Sequence, residues 1–259
     1  MALVRSDSPA PGVERLTLAR PGMHNALVPE LLDDLMRALA DVSRRGGCKV
    51  VVLAAEGPAF SIGGDMRRFR RERDGDLLGY SSALVGRLNQ AILALIDLPQ
   101  PVVAAVQGVV TGGSIGLVLA ADLAYLTPQA AFKHYATAGF GPDGGWTALV
   151  ARLAGARRAA AALLLNRTVR ADEAVAWGLA NEVVVAERFE QTVLDAARKM
   201  AAYPEGTLRA SKRLLWRDRA AIADDLEAER TRFIELIATP AAQAGVDDFL
   251  RRFSDYPDS

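Results

Sequence analysis

The chain has 259 residues, 51% of them apolar, with 31 basic and 31 acidic side chains and therefore a formal net charge of zero. A chain of this length and apolar content can bury one large core, and its balanced charge argues against a general nucleic-acid binder, which needs a basic excess to displace counterions. The single cysteine, Cys48, excludes an intramolecular disulfide framework and fits a reducing compartment, and one cysteine with two histidines argues against a structural metal site.

Strand and helix patterns alternate along the first two thirds of the chain. Residues 13–20 alternate between apolar and polar side chains and predict a strand. A helical pattern follows, with Pro29 close to its start. Continuous apolar runs at 49–55 and 101–108 predict strands that are buried on both faces, and a helical pattern at 84–96 lies between them.

The stretch 98–121 carries no charged side chain and is long enough to span a bilayer. However, two prolines, two glutamines and four glycines interrupt it. A buried strand, a turn and a buried helix therefore explain it better than a membrane span. The N-terminal residues also lack the apolar core of a signal peptide. We expect a cytoplasmic protein that does not enter the membrane.

Beyond this stretch the pattern changes from mixed to helical. A strand is predicted at 122–127 and another at 182–185. Helices are predicted near 145–153, 156–165, 171–177, 187–202, 207–218, 221–237 and 240–253. A wholly helical tail on a strand-rich body suggests an appendage that packs on the body or on another subunit.

Two glycine-rich segments, AFSIGGDM at 59–66 and GVVTGGSIG at 108–116, each follow a predicted buried strand. Glycine lets the backbone approach a ligand closely, and the start of a helix leaves amide N–H groups unpaired. Two such clusters at the ends of neighbouring strands can converge on one oxygen as an oxyanion hole. Tight packing alone is the competing explanation for each segment. Neither segment has the Gly-Lys-Ser/Thr of a P-loop, and the second lacks dinucleotide-loop spacing.

Asp143 is the single charged residue of GFGPDGGW, residues 139–146. Phe140, Pro142 and Trp146 surround it in sequence, and apolar surroundings raise the pKa of a carboxyl group toward that of a useful base. The alternative is a helix N-cap, because Pro-Asp-Gly-Gly ahead of an apolar helical pattern is a good capping sequence. The local sequence by itself favours the cap.

Several motifs together resemble one known family, the crotonase or enoyl-CoA hydratase/isomerase superfamily. Its three signature regions are matched in order and spacing by FSIGGDM (60–66), QGVVTGGSIGLVLAADLAYL (107–126) and FGPDGGW (140–146). Segments similar to its other usual regions are HNAL (24–27), NRTVRADEAVAWGLANEVV (166–184) and SKRLL (211–215). The resemblance therefore covers nearly the whole chain.

The resemblance implies an α/β fold, a spiral of ββα units, with its acyl-CoA site in a core at 1–200. A helical region at 201–259 would build a homotrimer or a dimer of trimers. The resemblance also implies that the amides of Ile62 and Gly113 bind the thioester oxygen. The residues that it places around the CoA ester are Met23, Ala26, Ser61, Ile62, Gly64, Asp65, Gly113, Phe140, Trp146, Phe249 and Arg252. Of these, Phe249 and Arg252 match positions that reach the CoA of a neighbouring subunit in relatives. Coenzyme A would enter as part of the substrate, with no separate cofactor and no metal.

The reaction depends on the acid and base groups, which differ within the superfamily. Hydratases of the family use two glutamates, and here one of those positions is Gly116 while no carboxylate occurs between Asp122 and Asp143. Hydration needs one group to activate water and another to deliver a proton, whereas double-bond migration needs a single base. PDGGW matches the place where several isomerases of the family, including ring-modifying relatives, carry a catalytic aspartate. The sequence thus predicts a Δ3 to Δ2 enoyl-CoA isomerase with Asp143 as the base.

Three alternatives stay open. A dehalogenase or thioester hydrolase would use Asp143 as a nucleophile, although the stretch that holds a base in such relatives has Asn89 and no histidine. An unusual hydratase is the second, and an acyl-CoA-binding protein without catalysis is the third. His134 is either structural or a proton shuttle, and the arginine-rich run at 66–73 is either a solvated helix face or a contact for CoA phosphates.

Overall fold

A computed structural model describes residues 2–252, which form nine strands and eleven helices. The strands are β1 (Val4–Ala10), β2 (Val13–Leu18), β3 (Val50–Ala55), β4 (Val102–Val106), β5 (Val109–Thr111), β6 (Leu123–Leu126), β7 (Ala131–Lys133), β8 (Thr168–Arg170) and β9 (Glu182–Val183). The helices are α1 (Pro29–Arg44), α2 (Met66–Glu72), α3 (Leu77–Asp97), α4 (Ile115–Leu119), α5 (Val150–Ala154), α6 (Ala156–Leu164), α7 (Ala171–Trp177), α8 (Ala186–Ala201), α9 (Glu205–Leu215), α10 (Arg219–Ile237) and α11 (Pro240–Arg252).

The strands form two sheets. The larger one has the order β1-β2-β3-β4-β6-β9, with β1 and β2 antiparallel and the other neighbours parallel. The smaller one has the order β5-β7-β8. The chain crosses from the larger sheet to the smaller between β4 and β5, directly ahead of the second glycine-rich segment.

The central strands are buried on both faces, as their continuous apolar runs predict. Val51 and Leu53 of β3 face the main core, in which α1 and α3 pack. Val50 and Val52 alternate to the other face and pack with Val193 and other residues of α8 in a second cluster. The period of two explains why an uninterrupted run of valine and leucine can satisfy both faces at once.

The structure differs from the sequence prediction in several elements, which include all three strands of the smaller sheet, each only three residues long. The edge strand β1 has no counterpart in it, because four consecutive exposed positions in this strand remove the apolar alternation that the prediction relied on. The helix predicted near 145–153 is wrong at its start, since residues 144–149 form turns and α5 begins only at Val150. Gly144 and Gly145 both have positive φ, which keeps this segment out of the helix.

The uncharged stretch 98–121 forms β4, β5, a short 3-10 turn and α4. The buried strand, the turn and the buried helix agree with the sequence analysis, whereas β5 of the smaller sheet is an additional strand that it did not predict. Within residues 2–252, no helix combines the length and apolar character needed to cross a bilayer.

Helices of the C-terminal region pack on the body of the same chain. In α9, the Lys212 ammonium donates to the carbonyls of Leu95 and Gln100 at 2.8 and 3.0 Å and pairs with Asp122 at 2.9 Å. In α10, the carbonyl of Leu226 accepts a hydrogen bond of 3.0 Å from the Asn89 side chain on α3. The division of the chain at residue 200 stays a prediction.

The buried Lys212–Asp122 pair predicts a large loss of stability on Lys212→Met. The substitution leaves the Asp122 carboxylate without its cation in a mostly buried place. Breaking a buried pair by removing one partner costs about 3–5 kcal/mol, and urea denaturation would measure the change in the free energy of unfolding. Lys199→Met on the exposed face of α8 is the matched control and should change it by less than about 0.5 kcal/mol. Equal effects of the two substitutions would contradict this role of the pair.

Candidate active site

The two glycine-rich segments lie side by side. Ser61 and Val110 form an isolated parallel bridge, and the Thr111 N–H donates to the Ser61 carbonyl at 3.0 Å. The Ser114 hydroxyl donates to the same carbonyl at 3.2 Å. A Cβ at Gly63 would lie 2.6 Å from the Thr111 carbonyl oxygen, so this approach of two backbones requires glycine. The structure therefore brings together the two segments that the sequence analysis singled out.

The segment 23–27 lies along the first of these loops. The Leu27 N–H donates to the Gly63 carbonyl at 2.7 Å, and the Ile62 N–H makes a long hydrogen bond of 3.3 Å to the His24 carbonyl. Hydrogen bonds weaken as they lengthen, so this contact of Ile62 is easily exchanged. An oxygen of a substrate bound at Ile62 has to replace or share it.

The loop that carries Asp143 packs directly on the second glycine-rich segment. A Cβ at Gly113 would lie 2.4 Å from Oδ2 of Asp143, so the carboxylate rests against the Gly113 backbone. A Cβ at Gly116 would lie 2.2 Å from the Gly144 carbonyl oxygen, and a Cβ at Gly144 would lie 2.1 Å from the Gly113 carbonyl oxygen. Gly113 thus leaves room for the carboxylate, while Gly116 and Gly144 let the two loops approach closely.

Asp143 is held in surroundings that favour its protonated form. Burial raises the pKa of Asp143 from 3.8 to about 7, and the negative charge of Glu229 is the second cause. The alternative that Asp143 is a helix N-cap is wrong, because α5 begins at Val150 and no side chain caps it. Asp143 therefore does not cap this helix, and its pKa lies close to neutrality.

Glu229 on α10 provides the acceptor for the turn that follows Asp143. One carboxylate oxygen accepts from the Gly145 N–H at 2.7 Å. The other accepts from the Thr147 N–H and hydroxyl, both at 2.5 Å, and from the Ala148 N–H at 3.0 Å. Glu229 therefore supplies the hydrogen bonds that the sequence analysis expected from an aspartate cap.

The sequence analysis missed Glu229, although a signal was present. Helical spacing places Glu229 on the apolar face of α10, together with Ile222, Leu226 and Phe233, and all four residues are buried. A carboxylate on a buried apolar stripe needs hydrogen-bond partners. Such a residue can be found by looking for charge at an apolar helical position.

A cavity lies in front of Asp143 and the two loops. Its lining residues are Leu27, Ile62, Gly64, Met66, Phe69, Leu84, Leu88, Gly112, Gly113, His134, Tyr135, Phe140, Asp143 and Phe233. Five of these residues are predicted site residues: Ile62, Gly64, Gly113, Phe140 and Asp143. Within the described part of the chain, Asp143 is the one carboxylate among the residues that line this cavity.

A family model described as enoyl-CoA hydratase/isomerase matches residues 9–257. This chain belongs to the enoyl-CoA hydratase/isomerase family. The resemblance drawn from the three motifs is thereby confirmed.

Individual relatives agree in fold and differ in the reaction that they are named for. The chain is 32% identical over 194 residues to 4-chlorobenzoyl coenzyme A dehalogenase-2 of an Arthrobacter species, covering 74% of this chain and 70% of that one. It is 31% identical over 194 residues to 1,2-epoxyphenylacetyl-CoA isomerase of Escherichia coli K12, covering 74% of both chains. A crystal structure of an enoyl-CoA hydratase from Mycobacterium avium subsp. paratuberculosis matches with a TM-score of 0.85 at 27% identity, covering 100% of this chain and 99% of that one. The predicted crotonase-like α/β fold with C-terminal helices is confirmed.

The other predicted site residues of this family member lie outside the cavity lining. Met23, Ala26 and Ser61 are buried, and the Ser61 hydroxyl donates to the Asn25 carbonyl at 2.8 Å. Asp65 accepts hydrogen bonds from the first N–H groups of α2 and pairs with Arg20 at 3.0 Å. These side chains hold the loop at 61–66 in place.

Trp146, Phe249 and Arg252 are also predicted site residues. Trp146 is fully buried, and its indole N–H donates to the Gly112 carbonyl at 2.9 Å. This hydrogen bond links the loop of Asp143 to the second glycine-rich segment. The Phe249 ring packs edge-on against Tyr135 with 5.2 Å between ring centroids. Arg252 pairs with Asp248 at 2.7 Å. Contact of these residues with CoA stays a prediction.

Aromatic side chains close one part of the cavity. The Phe233 ring on α10 lies 5.2 Å from the Phe140 ring and 6.1 Å from the Phe69 ring, measured between centroids. His134 packs edge-on against Trp146, and burial lowers its pKa to about 4, so it is neutral near pH 7. The sequence analysis expected pocket walls from 67–85 and 140–150, which include Phe69 and Phe140, but it missed Phe233, whose helix comes from a distant part of the chain.

The arginine-rich run forms α2 and the residue that follows it. Arg73 pairs with Asp247 on α11 at 3.0 Å, and its guanidinium also donates to the Gln243 carbonyl at 3.2 Å. Arg68 pairs with Glu72 at 2.8 Å. The contacts of Arg73 tie the end of α2 to α11, which neither alternative for the run included.

The raised pKa of Asp143 predicts a pH-dependent cost to stability. The folded state keeps the proton between about pH 4 and pH 7 while the unfolded state has lost it, so stability falls as pH rises through this window. The two pKa values differ enough to correspond to about 4 kcal/mol at most. Asp143→Asn should therefore be more stable than the wild type above pH 7, by up to that amount, with the difference vanishing toward pH 4.

Urea denaturation at several pH values would measure this difference. Asp224→Asn, an exposed change on α10, is the control and should alter the free energy of unfolding equally little at every pH. A difference between wild type and Asp143→Asn that does not change with pH would contradict the raised pKa.

Proposed function

We propose that this protein is an enoyl-CoA isomerase that moves a double bond from the Δ3 to the Δ2 position of an acyl-CoA thioester. The observation that supports it best is the Asp143 carboxylate, which rests against the Gly113 backbone and has a pKa near 7. A base with this pKa can take up and give back a proton near neutral pH. The cavity residues offer no second carboxylate within the described chain.

The proposed reaction uses one base twice. Asp143 removes a proton from C2 of the 3-enoyl thioester, and the electron pair of the broken C–H bond shifts onto the thioester oxygen, which gives a dienolate conjugated with the C3–C4 double bond. The N–H groups of Ile62 and Gly113 stabilise this dienolate oxygen, and Asp143 then returns its proton to C4. Atoms and charge balance without water or a redox partner. Each donor of such an oxyanion hole contributes about 3 kcal/mol to the transition state.

The lack of space for a side chain at Gly116 argues against the standard hydratase arrangement. A Cβ at Gly116 would lie 2.2 Å from the Gly144 carbonyl oxygen and 2.3 Å from the Ile92 side chain. A glutamate side chain therefore cannot begin at this position while the loop of Asp143 stays in place. In this chain the aspartate loop occupies the place where hydratases of the family carry a glutamate.

The relatives support an acyl-CoA substrate and leave its acyl group to experiment. The similarity to 1,2-epoxyphenylacetyl-CoA isomerase supports a ring-derived acyl group as one option. The aromatic side chains of Phe69, Phe140 and Phe233 in the lining are compatible with a flat, unsaturated group. Coenzyme A would lie along the segments at 23–27 and 61–66.

The proposal includes self-association of the chain as a homotrimer or a dimer of trimers. Four leucines at the C-terminal ends of α6 and α9 are strongly exposed in the single chain: Leu164, Leu165, Leu214 and Leu215. Such exposed apolar side chains are suited to an interface between subunits. Light scattering gives the mass in solution, and a monomer at micromolar concentration would refute this part.

A substrate panel tests the reaction on purified protein. With 3-hexenoyl-CoA, the wild type should form the conjugated 2-enoyl thioester, which is followed by its ultraviolet absorbance. Asp143→Asn should lower kcat by about 100- to 10,000-fold, the usual contribution of a general base. Asp224→Asn is the control for a charge change elsewhere and should retain the wild-type rate.

Other outcomes of the panel identify the alternatives. Hydration of crotonyl-CoA would indicate a hydratase, and a covalent adduct on Asp143 detected by mass spectrometry would indicate nucleophilic chemistry. Binding of CoA esters without any turnover would indicate a protein that has lost catalysis. An undiminished isomerisation rate in Asp143→Asn would remove the proposed base.

The glycine contacts generate a prediction for Gly116→Glu. If a missing side chain were the only obstacle, this change would create hydratase activity. Because the Gly144 carbonyl and Ile92 occupy the space, we expect loss of isomerase activity, no gain of hydratase activity and a fall in the free energy of unfolding of about 1–3 kcal/mol. Gly206→Ala on α9 has no atom within 4 Å of its new Cβ and serves as the control. Appearance of crotonyl-CoA hydration in Gly116→Glu would contradict the steric argument.

A further inference from the structure

Glu229 is a buried carboxylate that the proposed reaction does not use directly. It lies on α10, far along the chain from Asp143, with its carboxylate directed at the loop that carries Asp143. Its donors are three backbone N–H groups and one hydroxyl, from Gly145, Thr147 and Ala148, at 2.5–3.0 Å. Four donors and no acceptor around a carboxylate fit its ionised form.

The charge of Glu229 is not balanced by a neighbouring cation. Among residues 2–252, no salt bridge to Glu229 is found, although Arg230 and Arg152 nearby have carboxylate partners of their own. The N–H groups of the turn and the Thr147 hydroxyl therefore stabilise a buried negative charge that has no cationic partner among the described residues. A buried carboxylate lowers the stability of the folded state unless it accepts enough hydrogen bonds. Here all of them come from residues 145–148 of one short loop.

The same loop determines where the Asp143 carboxylate lies. Gly144 packs on Gly113, and Gly145 is the first residue held by Glu229. The loop has two positive-φ glycines in succession, so its own backbone restricts it weakly. Anchoring by Glu229 compensates for this freedom directly after the reactive side chain.

We propose that Glu229 is a positioning residue for Asp143: it anchors the loop that carries this carboxylate and places a negative charge at the turn that follows it. This inference rests on the proposed function, in which Asp143 shuttles a proton. The effect of the charge agrees with the raised pKa of Asp143, for which Glu229 is the second cause after burial. The alternative is that Glu229 only attaches the loop to α10, and this alternative predicts no effect on the titration of Asp143.

Glu229→Gln separates the two explanations. The Gln oxygen can keep the donors of Thr147 and Ala148, while the NH₂ group then faces the Gly145 N–H, and the charge is gone. We expect kcat to fall about 10- to 100-fold, the range that corresponds to one lost charged hydrogen bond. KM should stay within about threefold. The acid limb of the kcat–pH profile should move to lower pH, because removal of a nearby negative charge lowers the pKa of Asp143.

The acid limb can be assigned because His134 and Tyr135, the other titratable side chains among the described residues that line the cavity, do not titrate near neutral pH. His134 has its pKa lowered to about 4 by burial, and burial raises the pKa of Tyr135. Arg152 on α5 reaches the Ala148 carbonyl at 2.7 Å and stays charged. The carboxylates that pair with arginines around this part of α10 are Asp218, Asp225 and Glu227.

Three further variants complete the test. Thr147→Val removes one of the four hydrogen bonds and leaves the charge, so we expect a kcat loss of a few fold and an unmoved acid limb. Glu235→Gln changes an exposed carboxylate on the same helix and should leave kcat and the pH profile unchanged. If Glu229→Gln does not fold, Glu229→Asp, which keeps the charge on a shorter side chain, should lower kcat and leave the acid limb in place.

A titration of Asp143 by carboxyl-carbon NMR gives a readout that needs no substrate. The midpoint should lie near pH 7 in the wild type and lower in Glu229→Gln. The inference would be overturned if Glu229→Gln lowered thermal stability but left the midpoint and the acid limb unchanged. Glu229 would then only attach the loop to α10. An active Asp143→Asn variant would instead overturn the proposed function, whatever Glu229→Gln does.

Discussion

Direct backbone contact between two glycine-containing turns governs the site of this protein. Gly113 and Gly116 on one side and Gly144 on the other approach so closely that a single Cβ at any of them would overlap the opposite loop. This contact places the Asp143 carboxylate against Gly113, in surroundings that raise its pKa to about 7. Everything proposed about the chemistry depends on this packing, because a side chain at these positions would displace the carboxylate.

The rest of the fold supports this contact from several directions. The parallel strands β3 and β4 lead into the two glycine-rich segments, and Trp146 holds the Gly112 carbonyl from behind. Helix α10 contributes the Glu229 hydrogen bonds on one side and the Phe233 ring on the cavity side. The C-terminal region therefore takes part in the site of the same chain, in addition to the assembly role that the family resemblance implies.

Much of this arrangement could be predicted from the sequence, because its parts are local. The apolar runs at 49–55 and 101–108 predict buried strands, and the spacing of the glycines predicts close backbone contact. Glu229 and Phe233 escaped prediction because their roles arise from tertiary contacts across more than 80 residues of chain. Asp143 was ambiguous for a related reason: its neighbours resemble a capping sequence, and only the location of α5 at Val150 shows that Glu229 fulfils that task.

Family membership leaves the reaction open, since relatives of similar identity carry the names of a dehalogenase and an isomerase. The central claim is that one carboxylate carries a proton from C2 to C4 of a thioester. Its most direct test is 3-hexenoyl-CoA labelled with deuterium at C2 and turned over in ordinary water. The account predicts deuterium at C4 of part of the wild-type product and a rate of product formation at least about 100-fold lower in Asp143→Asn. Complete loss of the label to water, at a rate that Asp143→Asn shares, would contradict it.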